Sequence, residues 1–443
     1  MSRGVSMIFS RANIATFSTS LVIQFCGLIT GILTARILGP TARGELATVM
    51  LWPMILSNLG LLGCNWALAR EVAADPGKES HWIRAAVAVG FAAACLCLVL
   101  GYWLIPYLLP FDRRYLGSLV RVCLWSIPLG ILNQTLLAVE HGRMRWRRYN
   151  FLRASFFVFY VILICLIALN RKPQVRWFVC AYLTSHALTV ILRLIMQQES
   201  FASGRLHVAE CFRLLLRGLP YFWATASNLL TLQLDKIIVV SLMSAEAAGI
   251  YAVAVTFSSA QSSLGEALGI TSFAFLSNAK SIDRQGKILT ETFRQATLTS
   301  AGLGLLLSCF VPLLVGPLFG QEFAQAVRPA VILTASAALT NPSGILMQGL
   351  RGVGRPYPGL ASQLLGTGVL AGSAALLLPK FGLMGMAWAV VLSACFQIIL
   401  LIATTSAMLH VSPLCFWPFG AKGVSELWQS VLAMRLRFSR SPA

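Results

Sequence analysis

Few charged side chains fall inside the long apolar stretches of this chain, and these few define the chemistry available there. Two are acidic, Asp235 and Glu266, and a carboxylate in apolar surroundings could bind a coupling cation, either H+ or Na+. Basic residues near the ends of apolar runs are more numerous, and four of them are the candidates for cargo binding: Arg36, Arg121, Arg193 and Lys236. If several of them line one cavity, they favour an anion such as a phosphate-bearing cargo, because charge-assisted hydrogen bonds strengthen where water is scarce.

Asp235 and Lys236 are neighbours in the most polar of the apolar runs. Adjacent residues on a helix point about 100° apart, so the two side chains cannot fully share one face. A functional pair and a simple ion pair or snorkelling lysine at a helix end both fit this pattern.

Motifs for catalysis or for nucleotide binding do not accompany these charges. The sequence has no GxGxxG, Walker, HExxH or GxSxG motif in a credible context, so we expect no catalytic residue and no cofactor. The eleven cysteines lie mostly within apolar runs and lack CxxC pairs, which favours small hydrophobic residues over disulfides or metal ligands. Any transport would be secondary or downhill, since the chain leaves no room for a domain that binds ATP.

The composition predicts an all-α membrane protein. Hydrophobic residues make up 57% of the chain and charged residues 11%, against roughly half and a quarter in soluble domains. A bilayer core of about 30 Å needs about 20 apolar residues per helix, and such runs predict about twelve transmembrane helices, six in each half. The predicted domains are a six-helix bundle at 1–196, a cytoplasmic linker at 197–217, a second bundle at 218–408 and a basic cytoplasmic tail at 409–443.

The net charge of +20 is distributed unevenly between the two faces of the membrane. With the N-terminus and the even-numbered connections on one side, that side carries 24 Lys and Arg residues and the other carries 10. The positive-inside rule therefore predicts that both termini are cytoplasmic. This topology accounts for the basic excess, so nucleic-acid binding is not required.

A stretch near the start of each half repeats. Shifting Thr34–Arg70 by 205 residues aligns seven residues with identical ones in the second half. Ala42, Gly44, Ala47, Ser57, Leu59, Gly60 and Ala69 fall on Ala247, Gly249, Ala252, Ser262, Leu264, Gly265 and Ala274. Six helices per half is an even number, so the two halves would insert the same way up, as parallel repeats with a pathway between them.

Four segments resemble the Wzx-type polysaccharide-export flippases, which are similar to lipid II flippases and MATE drug exporters. They are TARILGPTARGELA, LDKIIVVSLMSAEAAGIYAVAV, GVGRPYPG and FGLMGMAWAVVLS, within a resemblance that covers about residues 12–408. Asp235-Lys236 occupies a place where the family commonly has Asp followed by Arg or Lys, and Arg36 stands at the equivalent joint of the first half.

The resemblance implies a fold and a cargo. Two six-helix bundles would form a V that opens alternately to the cytoplasm and the periplasm of a bacterial inner membrane. The cargo would be a polyprenyl-diphosphate-linked repeat unit for O-antigen, capsule or exopolysaccharide, with membrane lipids, a polymerase and glycosyltransferases as further partners. The sugar composition, the coupling ion and the oligomeric state stay open.

Two other functions compete with a flippase. A MATE-like antiporter of organic cations would need buried carboxylates facing its cargo, whereas basic residues predominate here. A membrane enzyme such as a glycan polymerase or ligase usually needs a sizeable outer loop that carries catalytic residues, and no predicted outer loop is long.

Overall fold

The computed structural model describes residues 11–169, 174–197, 207–259, 281–353, 355 and 357–418, and the regular structure in these ranges is helical. Twelve α-helices, numbered here along the chain, are α1 Arg11–Gly60, α2 Cys64–Ala74, α3 Glu79–Leu108, α4 Gly117–Cys123, α5 Ser126–Gly142, α6 Trp146–Ala168, α7 Val175–Met196, α8 Val208–Leu242, α9 Ala245–Ser259, α10 Ile282–Phe319, α11 Val327–Gly352 and α12 Tyr357–Leu409. Short 3₁₀ turns precede α3, α4 and α11 and follow α12.

Seven helices in the described ranges are long and apolar enough to cross a membrane, or eight if α4 and α5, bent by 41°, form one span. Two of the seven are 57 and 53 residues long, whereas the bilayer core takes about 20 residues. Each contains a glycine with non-helical backbone angles, Gly39 and Gly382, so each holds two successive spans. With α8 and the described part of α9, these segments agree with the predicted twelve-span layout.

The breaks within and between these helices have local causes. Gly39 has a positive φ of 71°, which glycine adopts at little cost, and Pro40 follows it. Proline lacks an N–H group and therefore suits the first turn of the next helix. The α8–α9 break lies at the equivalent place of the second half, where the Ser244 hydroxyl accepts a hydrogen bond from the Ala247 N–H at 3.2 Å. Such a bond caps the start of α9.

Helical structure begins earlier at α8 than the sequence predicts. The predicted second bundle starts at residue 218, but α8 starts at Val208, inside the predicted linker 197–217. Leu214 is fully buried against Leu68, Ile83 and Val139, which explains why this turn is held as helix. Residues 419–443, most of the predicted tail, lie outside the described ranges.

The chain separates into two compact units. One consists of Phe9–Val253 with Gly316–Gln325, and the other is built mainly of Ala254–Val315 and Ala326–Ala443. In the first unit, Leu46, Val49, Val120 and Ile127 belong to one buried cluster. In the second, α10, α11 and α12 contribute to a cluster around Phe293, whose ring packs edge-on against that of Phe416.

Within the first unit, the two copies of the repeat meet at equivalent glycines. A Cβ atom added to Gly44 would overlap the carbonyl of Ala245, and one added to Gly249 would overlap the carbonyl of Pro40. Gly44 and Gly249 are 205 residues apart, and so are Pro40 and Ala245. Each copy therefore presents the same two positions to the other, and the contact, here called the first crossing, has a local two-fold symmetry.

A second close approach of two backbones lies between Gly63 and Gly218, in the first third of α8. Gly63, with a φ of +71°, packs so tightly on α8 that an added Cβ would overlap the Gly218 carbonyl. A Cβ on Gly218 would lie 2.7 Å from the Leu62 carbonyl oxygen. This contact is called the second crossing. Residues 218 to 242 of α8 rise about 36 Å at 1.5 Å per residue, which is close to the thickness of a bilayer core.

The first crossing predicts a strong penalty for one methyl group. Gly44→Ala forces two backbones apart, so we expect the free energy of unfolding to fall by about 1–3 kcal/mol, the usual range for overpacking. The same substitution at Gly27, also in α1, meets no atom within 4 Å and is the matched control. Thermal unfolding of the purified proteins measures both effects, and equal stability of the two variants would contradict the crossing.

Candidate functional site

The middle of α8 carries a polar stretch between the two crossings. Asn228 is exposed, and Gln233, Asp235 and Lys236 are partly exposed. Unlike the preceding α7, α8 is not apolar enough to be counted among the seven spanning helices. Polar groups in a membrane-spanning helix need a protein or aqueous partner, because lipid offers none. The stretch is therefore the candidate cargo-facing surface of this unit.

Asp235 is held from α9. The Tyr251 hydroxyl donates a hydrogen bond of 2.8 Å to Asp235 Oδ2, and Tyr251 is only 2% exposed. The other carboxylate oxygen, Oδ1, is buried and has no hydrogen-bond partner among the described residues. A buried acceptor without a donor is costly, and a bound cation or proton would relieve that cost.

Lys236 has different partners from its neighbour. Its ammonium group donates hydrogen bonds to Gln233 Oε1 at 3.0 Å and to the Leu232 carbonyl at 3.2 Å. Both acceptors are uncharged, so the positive charge keeps its capacity for an anion. The Asp235 and Lys236 side chains thus act separately, as their angular separation on the helix predicts.

Arg113 fastens the C-terminal end of α8. Its side chain is buried, at 1% exposure. One guanidinium nitrogen donates to the Met243 carbonyl, and another donates to the Thr48 hydroxyl at 3.0 Å. A helix ends with unsatisfied carbonyls and a partial negative charge, which a buried guanidinium satisfies.

Arg36 makes a similar contact with the carbonyls at the C-terminal end of α10. Its Nε donates to the Leu318 carbonyl at 2.8 Å, and its Nη2 donates to that of Pro317. Leu318 lies just before the 3₁₀ turn Gln321–Ala326, which corresponds to the turn Phe111–Leu116 that carries Arg113. Met243 lies two residues beyond the equivalent of Arg36. Corresponding places of the two repeats are therefore joined twice, with the arginine contributed by the first half each time.

The start of α8 is fastened by an ion pair as well as by the second crossing. Arg217 pairs with Glu71 of α2, whose side chain is 14% exposed. The Arg217 guanidinium also lies over the Trp82 ring, 5.6 Å from its centroid. The half-exposed arginine makes this a weaker fastening than the buried Arg113.

Arg193 lies in the interior of the first bundle. It is 3% exposed and donates to the carbonyls of Asn133 and Leu152, the latter at 2.7 Å, so it joins α5, α6 and α7. Asn133 in turn donates to His186 Nδ1 and to the His186 carbonyl, both at 3.1 Å. His186 is thus a hydrogen-bonded packing residue.

A carboxylate-rich ion pair closes the same bundle at the end of α5. Arg143 donates to Glu79 Oε2 at 2.9 Å and to Glu140 Oε1 at 3.3 Å, and Gln197 donates to that Glu140 oxygen at 3.1 Å. Burial lowers the pKa of the Arg143 guanidinium, but Glu79 and Glu140 outweigh this effect and hold the pKa above its ordinary value. The network ties α3, α5 and α7 together.

The structure separates the basic residues that the sequence predicts as one site. Arg36 and Arg193 bind backbone carbonyls, and Arg121 lies over the Tyr102 ring, 4.8 Å from its centroid. Lys236 alone of the four lies on the polar stretch of α8. Glu266, the second predicted coupling residue, is outside the described residues. The roles of these residues in cargo and ion binding stay predictions.

The fold is similar to those of two membrane transporters of known structure. It matches an inward-facing multidrug resistance MATE family transporter of the MOP superfamily with a TM-score of 0.75 and 14% identity, covering 90% of this chain and 98% of that one. It matches a lipid II flippase, MurJ in an inward closed conformation, with a TM-score of 0.76 and 11% identity, covering 98% of this chain and 93% of that one. At such identities the likeness is one of fold.

The sequence then gives the family. The profile of the polysaccharide biosynthesis protein family matches residues 10–273, more than half of the chain. The chain belongs to this family, which confirms the resemblance to Wzx-type flippases, and the family comprises transporters rather than enzymes. Among curated proteins, none matches the sequence.

Arg113 generates a test of how α8 is held. Arg113→Ala leaves the Met243 carbonyl and the Thr48 hydroxyl without their donor, so we expect a loss of about 2–3 kcal/mol of stability. Arg114→Ala removes only a guanidinium that lies over the Phe111 ring, 4.7 Å from its centroid, and should change stability by less than about 1 kcal/mol. Thermal unfolding compares the neighbours, and a larger loss at Arg114 would refute the assignment.

Proposed function

We propose that this protein is a flippase for polyprenyl-diphosphate-linked oligosaccharide repeat units. It would move them from the cytoplasmic to the periplasmic leaflet of a bacterial inner membrane, for the synthesis of O-antigen, capsule or exopolysaccharide. The observation that carries this proposal is membership of the polysaccharide biosynthesis family over residues 10–273. The fold shared with a lipid II flippase supports a cargo of the same chemical type.

In this proposal α8 is the element that meets the cargo. Lys236 provides the positive charge for the diphosphate or an acidic sugar, because its present acceptors are neutral. Asp235 binds the coupling cation, H+ or Na+, at the unpartnered Oδ1. A cation there would leave the Tyr251 bond to Oδ2 in place.

The topology predicted by the positive-inside rule assigns the two crossings to opposite sides of the membrane. With both termini in the cytoplasm, α8 runs outward, so the second crossing lies at the cytoplasmic end and the first at the periplasmic end. The buried Arg113 strengthens the periplasmic end, whereas the cytoplasmic end has the half-exposed Arg217–Glu71 pair. We infer that the second crossing separates to admit cargo. Glycosyltransferases would act before this step and a polymerase after it.

The alternative is a MATE-like exporter of organic cations, which the fold of the multidrug transporter favours. On the polar stretch of α8, each of the two functions makes a different demand. An organic cation would need Asp235 to face the cargo and would be repelled by Lys236. A diphosphate would need Lys236 and tolerate Asp235 only if a cation neutralised it.

A deletion strain separates these functions. The flippase predicts loss of surface polymer, with lipid-linked intermediates trapped on the cytoplasmic face. Complementation with Lys236→Gln should reduce the appearance of intermediates on the periplasmic face about tenfold or more, since a hydrogen bond to a charged group contributes about 1.5–3 kcal/mol. Lys236→Arg keeps the charge and should retain most activity.

Other outcomes would assign the protein differently. Normal surface glycan together with drug sensitivity would point to the exporter. Intermediates that reach the periplasmic face but stay unpolymerised would point to a function after translocation. Equal activity of Lys236→Gln and the natural chain would exclude Lys236 as a cargo ligand.

A further inference from the structure

Arg121 lies at a groove on the outer surface of the first unit. The groove has a volume of about 460 Å³. Its lining consists of Leu98, Val99, Tyr102, Trp103, Arg121, Val122, Leu124 and Trp125, from α3 and from the α4–α5 bend. Arg121 is therefore the one charged residue of an otherwise largely apolar groove.

The groove lies on a surface that the bilayer would cover. Trp103 is 73% exposed and Trp125 is 63% exposed, and Tyr102 beside them is also exposed. Tyr and Trp side chains gather where an apolar interior meets headgroups, because their rings are apolar and their polar atoms remain hydrated. Arg121 comes five residues after the 3₁₀ turn Phe111–Leu116 that starts this span, so it lies near the same boundary.

Within the described part of the chain, no acidic side chain neutralises the charge of Arg121. Its guanidinium instead lies over the face of the Tyr102 ring. A guanidinium has five N–H donors in a planar fork. A ring face attracts the positive charge but leaves most of these donors without an acceptor. An arginine in a spanning segment needs such acceptors.

We propose that the groove binds an anionic phospholipid, with the lipid phosphate on Arg121 and an acyl chain along the apolar wall. A planar guanidinium fits two phosphate oxygens at once, and stacking on Tyr102 fixes its plane for that contact. The net negative charge of the headgroup matches the single positive charge of the groove. This site is separate from the polar stretch of α8 and does not depend on the cargo.

Native mass spectrometry of the purified natural chain tests the site, with phosphatidylglycerol and phosphatidylcholine as competing probes. We expect selective retention of phosphatidylglycerol, reduced about tenfold by Arg121→Gln, because the charge-assisted bonds are lost. Arg121→Lys should retain an intermediate amount. Arg114→Gln is the matched control, because Arg114 also stacks on an aromatic ring but does not line the groove.

Three results with the phospholipid probes would overturn the proposal. They are equal retention of the two lipids by the natural chain, unchanged retention in Arg121→Gln, or an equal loss in Arg114→Gln. Recovery of a polyprenyl diphosphate in place of phospholipid would also overturn it and would assign Arg121 to the cargo. Thermal unfolding of Arg121→Gln shows whether a loss of lipid reflects a loss of fold, and Trp125→Ala, which shortens the apolar wall without changing the charge, should weaken retention independently.

Discussion

The contact on which the first unit depends is the backbone approach at Gly44 and Gly249. An alanine at either place would put a methyl group on a carbonyl of the other copy, so the two helix breaks can meet only through glycine. This contact fixes where α9 starts relative to α1. It thereby fixes where α8 ends, and Arg113 and Arg36 then satisfy the helix-end carbonyls nearby. The position of the polar stretch of α8 follows from these constraints.

The charged residues of the chain divide according to whether the protein already satisfies them. Arg36, Arg113 and Arg193 donate to backbone carbonyls, and their contribution is to hold helices together. Lys236 and Asp235 have neutral partners, and Asp235 keeps an unpartnered oxygen. The acceptors of Lys236 lie on its own helix, so its charge holds no other helix in place and is available to an anion, which is why the cargo proposal depends on α8. The described contact of Arg121 is a ring face, which leaves its N–H donors available to a lipid phosphate.

Much of the fold could be predicted from the sequence, because apolar run length and the bilayer thickness together determine the spans. The repeat register was also visible, since Gly44 and Gly249 align at a shift of 205 residues. That the two copies touch at these glycines could not be predicted, because a repeat shows equivalence and not contact. The early start of α8 was missed since it depends on burial of Leu214 by distant helices.

The candidate site was less predictable for a physical reason. An arginine at the end of an apolar run can face a cavity or cap a helix. The sequence around Arg36 does not distinguish these two roles. Arg113 was missed because it lies in a short connection between predicted spans, where an exposed arginine is expected. The adjacent Arg114 has the same sequence context and is exposed, so no sequence signal distinguishes the buried arginine from its neighbour.

Covalent locking of the second crossing tests the account most directly. A Cβ at position 218 would lie 3.3 Å from the Cys64 sulfur but also 2.7 Å from the Leu62 carbonyl oxygen. Gly218→Cys should therefore displace the two backbones slightly and form a disulfide with the natural Cys64 on oxidation, and the reduced variant provides the baseline for delivery. If the second crossing must open to admit cargo, oxidised Gly218→Cys should stop delivery of lipid-linked intermediates to the periplasmic face, and reduction should restore it. The same variant with Cys64→Ser should not respond to oxidation. Undiminished delivery by the fully cross-linked protein would contradict the account.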